Sequence, residues 1–202
     1  MTNSRKKLIS TQMMVRVALL SAVAFVLFRF FEIPIIGFYK LDLSGIPVLL
    51  AGFSMGPLAG MLTLLVKDLL GLIGSSSGGI GEIADFAMLS CLILPPVIAY
   101  QKKRNRNTVL FGLLAGTLLM IIAGMLLNYY WLIPLYTGGS AEAIQGIVEM
   151  FDNALPFLNI DTVPKMILYV TGPFNLLKGL VISILTYVIY PYLSPLLKKG
   201  RI

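Results

Sequence analysis

Apolar residues occur in long blocks, separated by short polar or glycine- and proline-rich stretches, not in the one-sided rhythm of a water-facing helix. The first block runs from about Met13 to Phe31. Glu32 to Asp42 forms a connection in which Pro34 and Gly37 interrupt any helix. Leu43 to Phe53 is a short block that ends at Gly52-Phe-Ser-Met-Gly56-Pro57, and Pro57 to Ile73 follows with Lys67 and Asp68 in its outer half. Gly74-Ser-Ser-Ser-Gly-Gly79 is a flexible loop. Further blocks cover 81–100, 108–131 and 173–192, and Tyr136 to Lys165 is the longest polar stretch, with a short helix expected over 141–151.

With 57% hydrophobic and only 12% charged residues, and a mean hydropathy of +0.89, the chain departs far from the roughly 25% charged residues of soluble proteins. An all-α integral membrane protein is expected. The 202 residues have room for about six spans (13–31, 43–53, 57–73, 81–100, 108–131 and 173–192) in a single membrane domain.

Charge sets the orientation. Arg5, Lys6, Lys7, Arg16, Lys102, Lys103, Arg104, Arg106, Lys198, Lys199 and Arg201 all flank ends of the blocks. Six crossings with N- and C-termini cytoplasmic bring them to one side, the pattern of cytoplasmic loops. The net charge of +7 is thus a topology signal, and no nucleic acid partner is expected. The run 13–31 is long and lacks a small-residue cleavage site, so it reads as a retained first span in the plasma membrane.

Among the polar residues within blocks, Asn175 and Lys178 are three apart and share a helix face. Pro173 suits the first helical position, which places the Lys178 ammonium roughly 8 Å below the helix start. Such a lysine either snorkels to a headgroup or is satisfied by protein, water or ligand. Asn128, Glu82 and Asp85 fall at the same depth as Asn175 and Lys178, and five polar groups at one level point to a ligand pocket. Tyr129, Tyr130 and Trp131 read as an interfacial belt. Small residues four apart (Ala18 and Ala22; Gly52, Gly56 and Gly60; Gly112 and Gly116) suit close helix packing, and the first pair suits a partner protein as well.

No catalytic function is expected. The absence of histidine removes His-based general bases and most zinc sites, and lone Cys91 reads as a small core residue. No nucleophile stands with a base, no phosphate-cradling Gly-x-x-x-x-Gly-Lys-Ser/Thr loop is present, and no repeated polar face lines a pore. A binding subunit for a small molecule arriving from outside remains. The competing class is a self-sufficient secondary transporter, for which Asp68 is the candidate coupling acid.

Several stretches resemble the riboflavin-specific S component of energy-coupling factor (ECF) transporters: Lys40-Leu-Asp-Leu-Ser-Gly-Ile-Pro47, Gly56-Pro-Leu-Ala-Gly60, Gly78-Gly-Ile-Gly-Glu82, Asn128-Tyr-Tyr-Trp-Leu-Ile-Pro-Leu-Tyr136 and Pro173-Phe-Asn-Leu-Leu-Lys-Gly179. The resemblance implies a six-helix S-component bundle that binds riboflavin with high affinity as a transported ligand. It would have no cofactor of its own and would dock on a transmembrane coupling subunit carried by two ATPase subunits. The family's paired alanines facing the coupling subunit are matched by Ala18 and Ala22. The pocket would then have Asn128, Asn175 and Lys178 as its polar edge, Leu41 and Tyr39 from the first outer loop, and Glu82 near its mouth. A carboxamide matches the carbonyl and imide edge of isoalloxazine, and an ammonium complements a carbonyl oxygen. Lys178 would oppose the positive ring of thiamine and welcome the carboxylate of biotin, so biotin is the closer competitor.

Overall fold

The computed structural model describes residues 10–198, with the backbone alone for 193–198. The basic residues Arg5, Lys6, Lys7, Lys199 and Arg201 lie outside the described residues. Ser10 starts α1 (Thr11–Phe30) by accepting a hydrogen bond from the Met13 N–H at 3.2 Å. This helix buries only Val17, Ser21 and Ala24, against α2 and α3, and Ser21 donates to the Thr63 carbonyl. Ala18 and Ala22 both lie on its exposed face, beside Val15 and Leu19.

An antiparallel hairpin follows, β1 (Ile33–Ile36) and β2 (Tyr39–Leu41), the only strands among the described residues. Helix α2 (Gly45–Met55) is buried from Gly45 through Ser54. It is surrounded by α1, α3 (Pro57–Gly71), α4 (Ile80–Lys102) and α9 (Gly172–Lys198). Its apolarity on every side follows from that central place.

The glycines expected to pack divide into two kinds. A Cβ on Gly60 would meet the Gly52 Cα at 3.1 Å, so α2 and α3 touch backbone to backbone. Gly56, between them in sequence, faces open space. Its φ of +106° is a turn requirement, which corrects its placing in the packing row. Helix α5 (Arg106–Leu127) turns back against α4, where a Cβ on Gly112 would lie 2.5 Å from the Pro96 Cα and one on Gly116 would lie 2.2 Å from the Leu92 carbonyl oxygen.

The two later spans differ from expectation. The segment from Arg106 continues to Thr137 through a π-helical turn, Asn128–Leu132, and the short α6 (Ile133–Thr137). The last segment begins at Val163, not at Pro173: α8 (Val163–Met166) and a π-helical turn, Ile167–Thr171, run straight into α9. A proline inside a helix removes one hydrogen bond and its ring crowds the preceding turn. Both π-turns sit just before such a proline, Pro134 and Pro173, and widen the helix where the bond is missing. Lys178 is consequently about 22 Å along the helix from its start. The roughly 8 Å expected between it and the helix start is corrected accordingly.

Between these spans, α7 (Ala141–Ala154) packs Val148 and Phe151 onto the hairpin and α8, and a 3₁₀ turn (Pro156–Leu158) leads back to α8. Among the described residues, four segments are long and apolar enough to cross a bilayer: Thr11–Phe30, Ile80–Lys102, Arg106–Thr137 and Val163–Tyr192. Helix α2, at 11 residues, and α3, at 15 residues, are shorter than the roughly 20 residues a full span takes.

Candidate functional site

The hairpin is held down by aromatic contacts. At its turn, Gly37 adopts a φ of +54°, and any Cβ there would strike the Phe151 ring at 2.8 Å. The turn delivers Tyr39, buried, to the π-turns within two spans. Its hydroxyl donates to Asn128 Oδ1 at 3.0 Å and lies 2.7 Å from Thr171 Oγ1, and its ring packs against Phe174 at 4.8 Å between centroids. Burial pushes the Tyr39 phenol up, so it stays a protonated donor. Asn128 uses its other end to donate to the Gly124 carbonyl, 2.7 Å away.

Below the hairpin lies a cavity of about 290 Å³, at the small end of the roughly 300–1,000 Å³ range of ligand sites. Phe38, Tyr39, Tyr136 and Phe174 form aromatic wall, and Asp42, Glu82, Asp85, Asn128 and Lys178 supply the polar groups. Of the seven residues expected to bind a ligand, Tyr39, Glu82, Asp85, Asn128 and Lys178 line this one cavity, whereas Leu41 and Asn175 do not. Asn175 is fully buried against α5. Its amide nitrogen would meet a Cβ on Gly124 at 2.6 Å, it donates to the Thr171 carbonyl, and its Oδ1 has no hydrogen-bond partner. Glu82 Oε2 accepts from Ser75 at 2.8 Å and Ser77 at 3.2 Å, which ties the flexible loop to the cavity rim.

The lysine does not snorkel. Lys178 Nζ donates to Asp42 Oδ2 and to Asp85 Oδ1, both at 2.8 Å. Asp85 Oδ2 accepts in turn from Lys67, whose ammonium also lies 2.6 Å from Asp68 Oδ1 and 4.2 Å from the centroid of the Phe28 ring. Neither oxygen of Asp68 accepts a directed hydrogen bond. A chain of buried charges thus runs Asp42, Lys178, Asp85, Lys67, Asp68 across the entry to α2 and helices α9, α4 and α3. Burial of single charges is prohibitive and pairing makes it tolerable.

The charge count changes the electrostatic reading. Three carboxylates accompany two ammoniums, so Lys178 faces the cavity as a paired charge with Asp42 and Asp85 beside it.

Asp42 and Lys67 escaped sequence reasoning. Asp42 counts as one loop acid among several until its second role is seen: its Oδ1 accepts the Ser44 N–H at 2.8 Å, and this Asp-x-Ser turn launches α2. Lys67 carried the same signal as Lys178, an ammonium inside an apolar block that must find a partner. Among the described residues no group of three or more His, Cys, Asp or Glu side chains is placed to hold a metal ion.

The sequence model of the family "ECF transporter, substrate-specific component" matches residues 12–190. The riboflavin transporter RibU of Staphylococcus aureus (strain TCH60) is 36% identical over 98% of this chain and 99% of its own length. The riboflavin transporter FmnP of Bacillus subtilis (strain 168) is 31% identical, covering 93% of this chain and 95% of its own. A solved S component of a bacterial ECF transporter superposes with a TM-score of 0.69 at 33% identity, over 93% of this chain and 98% of that one. Family match, relatives and fold agree over nearly the whole length: the chain belongs to the substrate-specific components of ECF transporters.

Proposed function

We propose that the protein is a riboflavin-specific S component, a multi-pass plasma-membrane subunit that captures riboflavin from outside and passes it to a transmembrane coupling subunit energised by two ATPases. The observation that carries the reading is the convergence of aromatic wall and hydrogen-bonding groups on one cavity in a chain whose relatives are riboflavin transporters. Six crossings with both termini inside fit this role, α2 and α3 being short central helices extended by their connections.

The chemistry suits a neutral, planar, hydrogen-bonding ring. An ammonium has three N–H donors, and Lys178 spends two on Asp42 and Asp85, which leaves one for a ring carbonyl. Asn128 presents a carboxamide to the imide edge. Phe38, Tyr39 and Phe174 offer faces for stacking. Asn175 belongs to the proposed site on a different ground: it follows the lining residue Phe174 in sequence, its buried Oδ1 has no partner, and a ligand donor that reaches it would satisfy it. Leu41 contributes through the hairpin backbone beside Asp42.

Calorimetric titration of the purified protein with riboflavin, flavin mononucleotide, biotin and thiamine tests the reading. Riboflavin is expected to bind most tightly of the vitamins, and protein purified from riboflavin-containing medium should carry flavin absorbance. Tighter binding of biotin or thiamine would overturn the specificity and leave the family. Uptake by the isolated protein in ATP-free proteoliposomes, driven by an ion gradient, would overturn the subunit role in favour of a secondary transporter.

A further inference from the structure

A larger concavity stands apart from the one described above. Asp85 and Tyr100 both lie on α4, about 22 Å apart along the helix, and at the Tyr100 end the bundle opens into a second cleft of about 660 Å³ between the α4–α5 turn and the last turns of α9. Its walls are aromatic and aliphatic: Tyr100 and Tyr190 stack edge to face at 5.7 Å with their hydroxyls 3.2 Å apart, and Tyr192 and Val188 expose 78% and 54% of their surface beside them. Arg104 and Arg106, both exposed, stand at its rim, and among the described residues no acidic side chain lines it.

Cytoplasmic orientation accounts for two arginines in this turn. It does not account for an aromatic-walled cleft beside them that is lined by Tyr187, Val188 and Tyr190 to Tyr192 of α9. Two guanidiniums with no acidic neighbour among the described lining residues call for an anion and favour phosphate, which they grip in a planar fork. The apolar wall calls for a hydrocarbon attached to that anion. Tyrosine and valine at the level where a span leaves the bilayer are the neighbours a lipid headgroup and its first methylenes meet. Basic pockets between spans at the membrane surface take anionic headgroups for this reason.

We propose that this cleft holds an anionic phospholipid, its phosphodiester between Arg104 and Arg106 and its acyl chains along Val188 and the outer face of α9. The lipid would brace the α4–α5 turn against the end of α9, remote from the cavity under the hairpin.

The test is native mass spectrometry of the full chain in neutral detergent, titrated with phosphatidylglycerol and with phosphatidylcholine, together with the Arg104→Gln, Arg106→Gln double variant. Phosphatidylglycerol is expected to bind the parent in preference to phosphatidylcholine, and the double variant is expected to lose about thirtyfold of that affinity, roughly fivefold for each charge near the surface. Riboflavin titration of the variant, unchanged from the parent, establishes that it is folded. Equal binding of the two lipids, or undiminished phosphatidylglycerol binding by the double variant, would overturn the proposal. Competition by inorganic phosphate at concentrations comparable to the lipid would overturn the lipid assignment and leave a plain anion site.

Discussion

Lys178 and Asp85, 93 residues apart in sequence, are joined at 2.8 Å in the buried centre of the bundle. Asp85 is in turn the partner of Lys67, so the residue that faces the ligand cavity from α9 is held in place by a charge on α3 that lies outside the cavity lining.

Removing one member of this chain leaves its partners buried and uncompensated, which costs about 3–5 kcal/mol. Lys178→Ala is therefore expected to lower the melting temperature as well as the riboflavin affinity. A Lys178→Met, Asp42→Asn double variant, which leaves Asp85 paired with Lys67, should recover most of the stability and none of the affinity, read by thermal unfolding beside calorimetry. If affinity returned with stability, Lys178 would be structural and the ligand would find its hydrogen bonds elsewhere.

Asn175→Ala separates two roles for one side chain. The variant removes a buried oxygen that has no partner in the empty protein together with the amide's bond to the Thr171 carbonyl, so the melting temperature should fall modestly. If riboflavin completes that oxygen's hydrogen bonding, the dissociation constant rises by a factor of roughly 5 to 150, the equivalent of about 1–3 kcal/mol. An unchanged constant would remove Asn175 from the site.

The α4–α5 seam depends on a side chain that is missing. A Cβ on Gly116 would sit 2.2 Å from the Leu92 carbonyl oxygen, an impossible approach to backbone. Gly116→Ala should force the two helices apart and cost about 1–3 kcal/mol, whereas Gly146→Ala, on the outer helix with open space around it, should be neutral or slightly stabilising. Melting temperatures of the two variants check this directly, and an unaffected Gly116→Ala protein would refute the packing described.

Ala18 and Ala22 lie on the exposed face of α1, where small residues permit a partner helix to come close. Replacing both with leucine should abolish transport by the complete ECF assembly, measured as ATP-dependent uptake, while calorimetry of the isolated protein shows parent-like affinity. Loss of affinity in the isolated protein would instead assign the pair to the internal packing of the bundle.

Much of the molecule is legible along the chain because its causes are local. Long apolar blocks require helices in a bilayer, since no water satisfies backbone groups there. The boundaries at Pro57 and Gly79 follow from the turn chemistry of those residues, and the helices expected over 57–73 and 81–100 run from Pro57 to Gly71 and from Ile80 to Lys102. Asn128, Glu82, Asp85 and Lys178 were recognisable as a set because each is polar within an apolar stretch. Their common cavity is a tertiary fact, and so is the identity of each partner. Pro173 reads as a helix start by its own stereochemistry, yet the chain before it is already helical: packing of Met166, Ile167 and Val170 under α7 sustains the segment, and a π-turn absorbs the missing hydrogen bond. Lys67 pairs with Asp85, and Asp42 with Lys178, through distances in sequence of 18 and 136 residues. Sequence requires that a buried lysine have a counter-charge. Only the meeting of four separate segments decides which carboxylate supplies it, because Coulomb attraction inside a low-dielectric bundle depends on a few ångströms of separation that no spacing along the chain encodes.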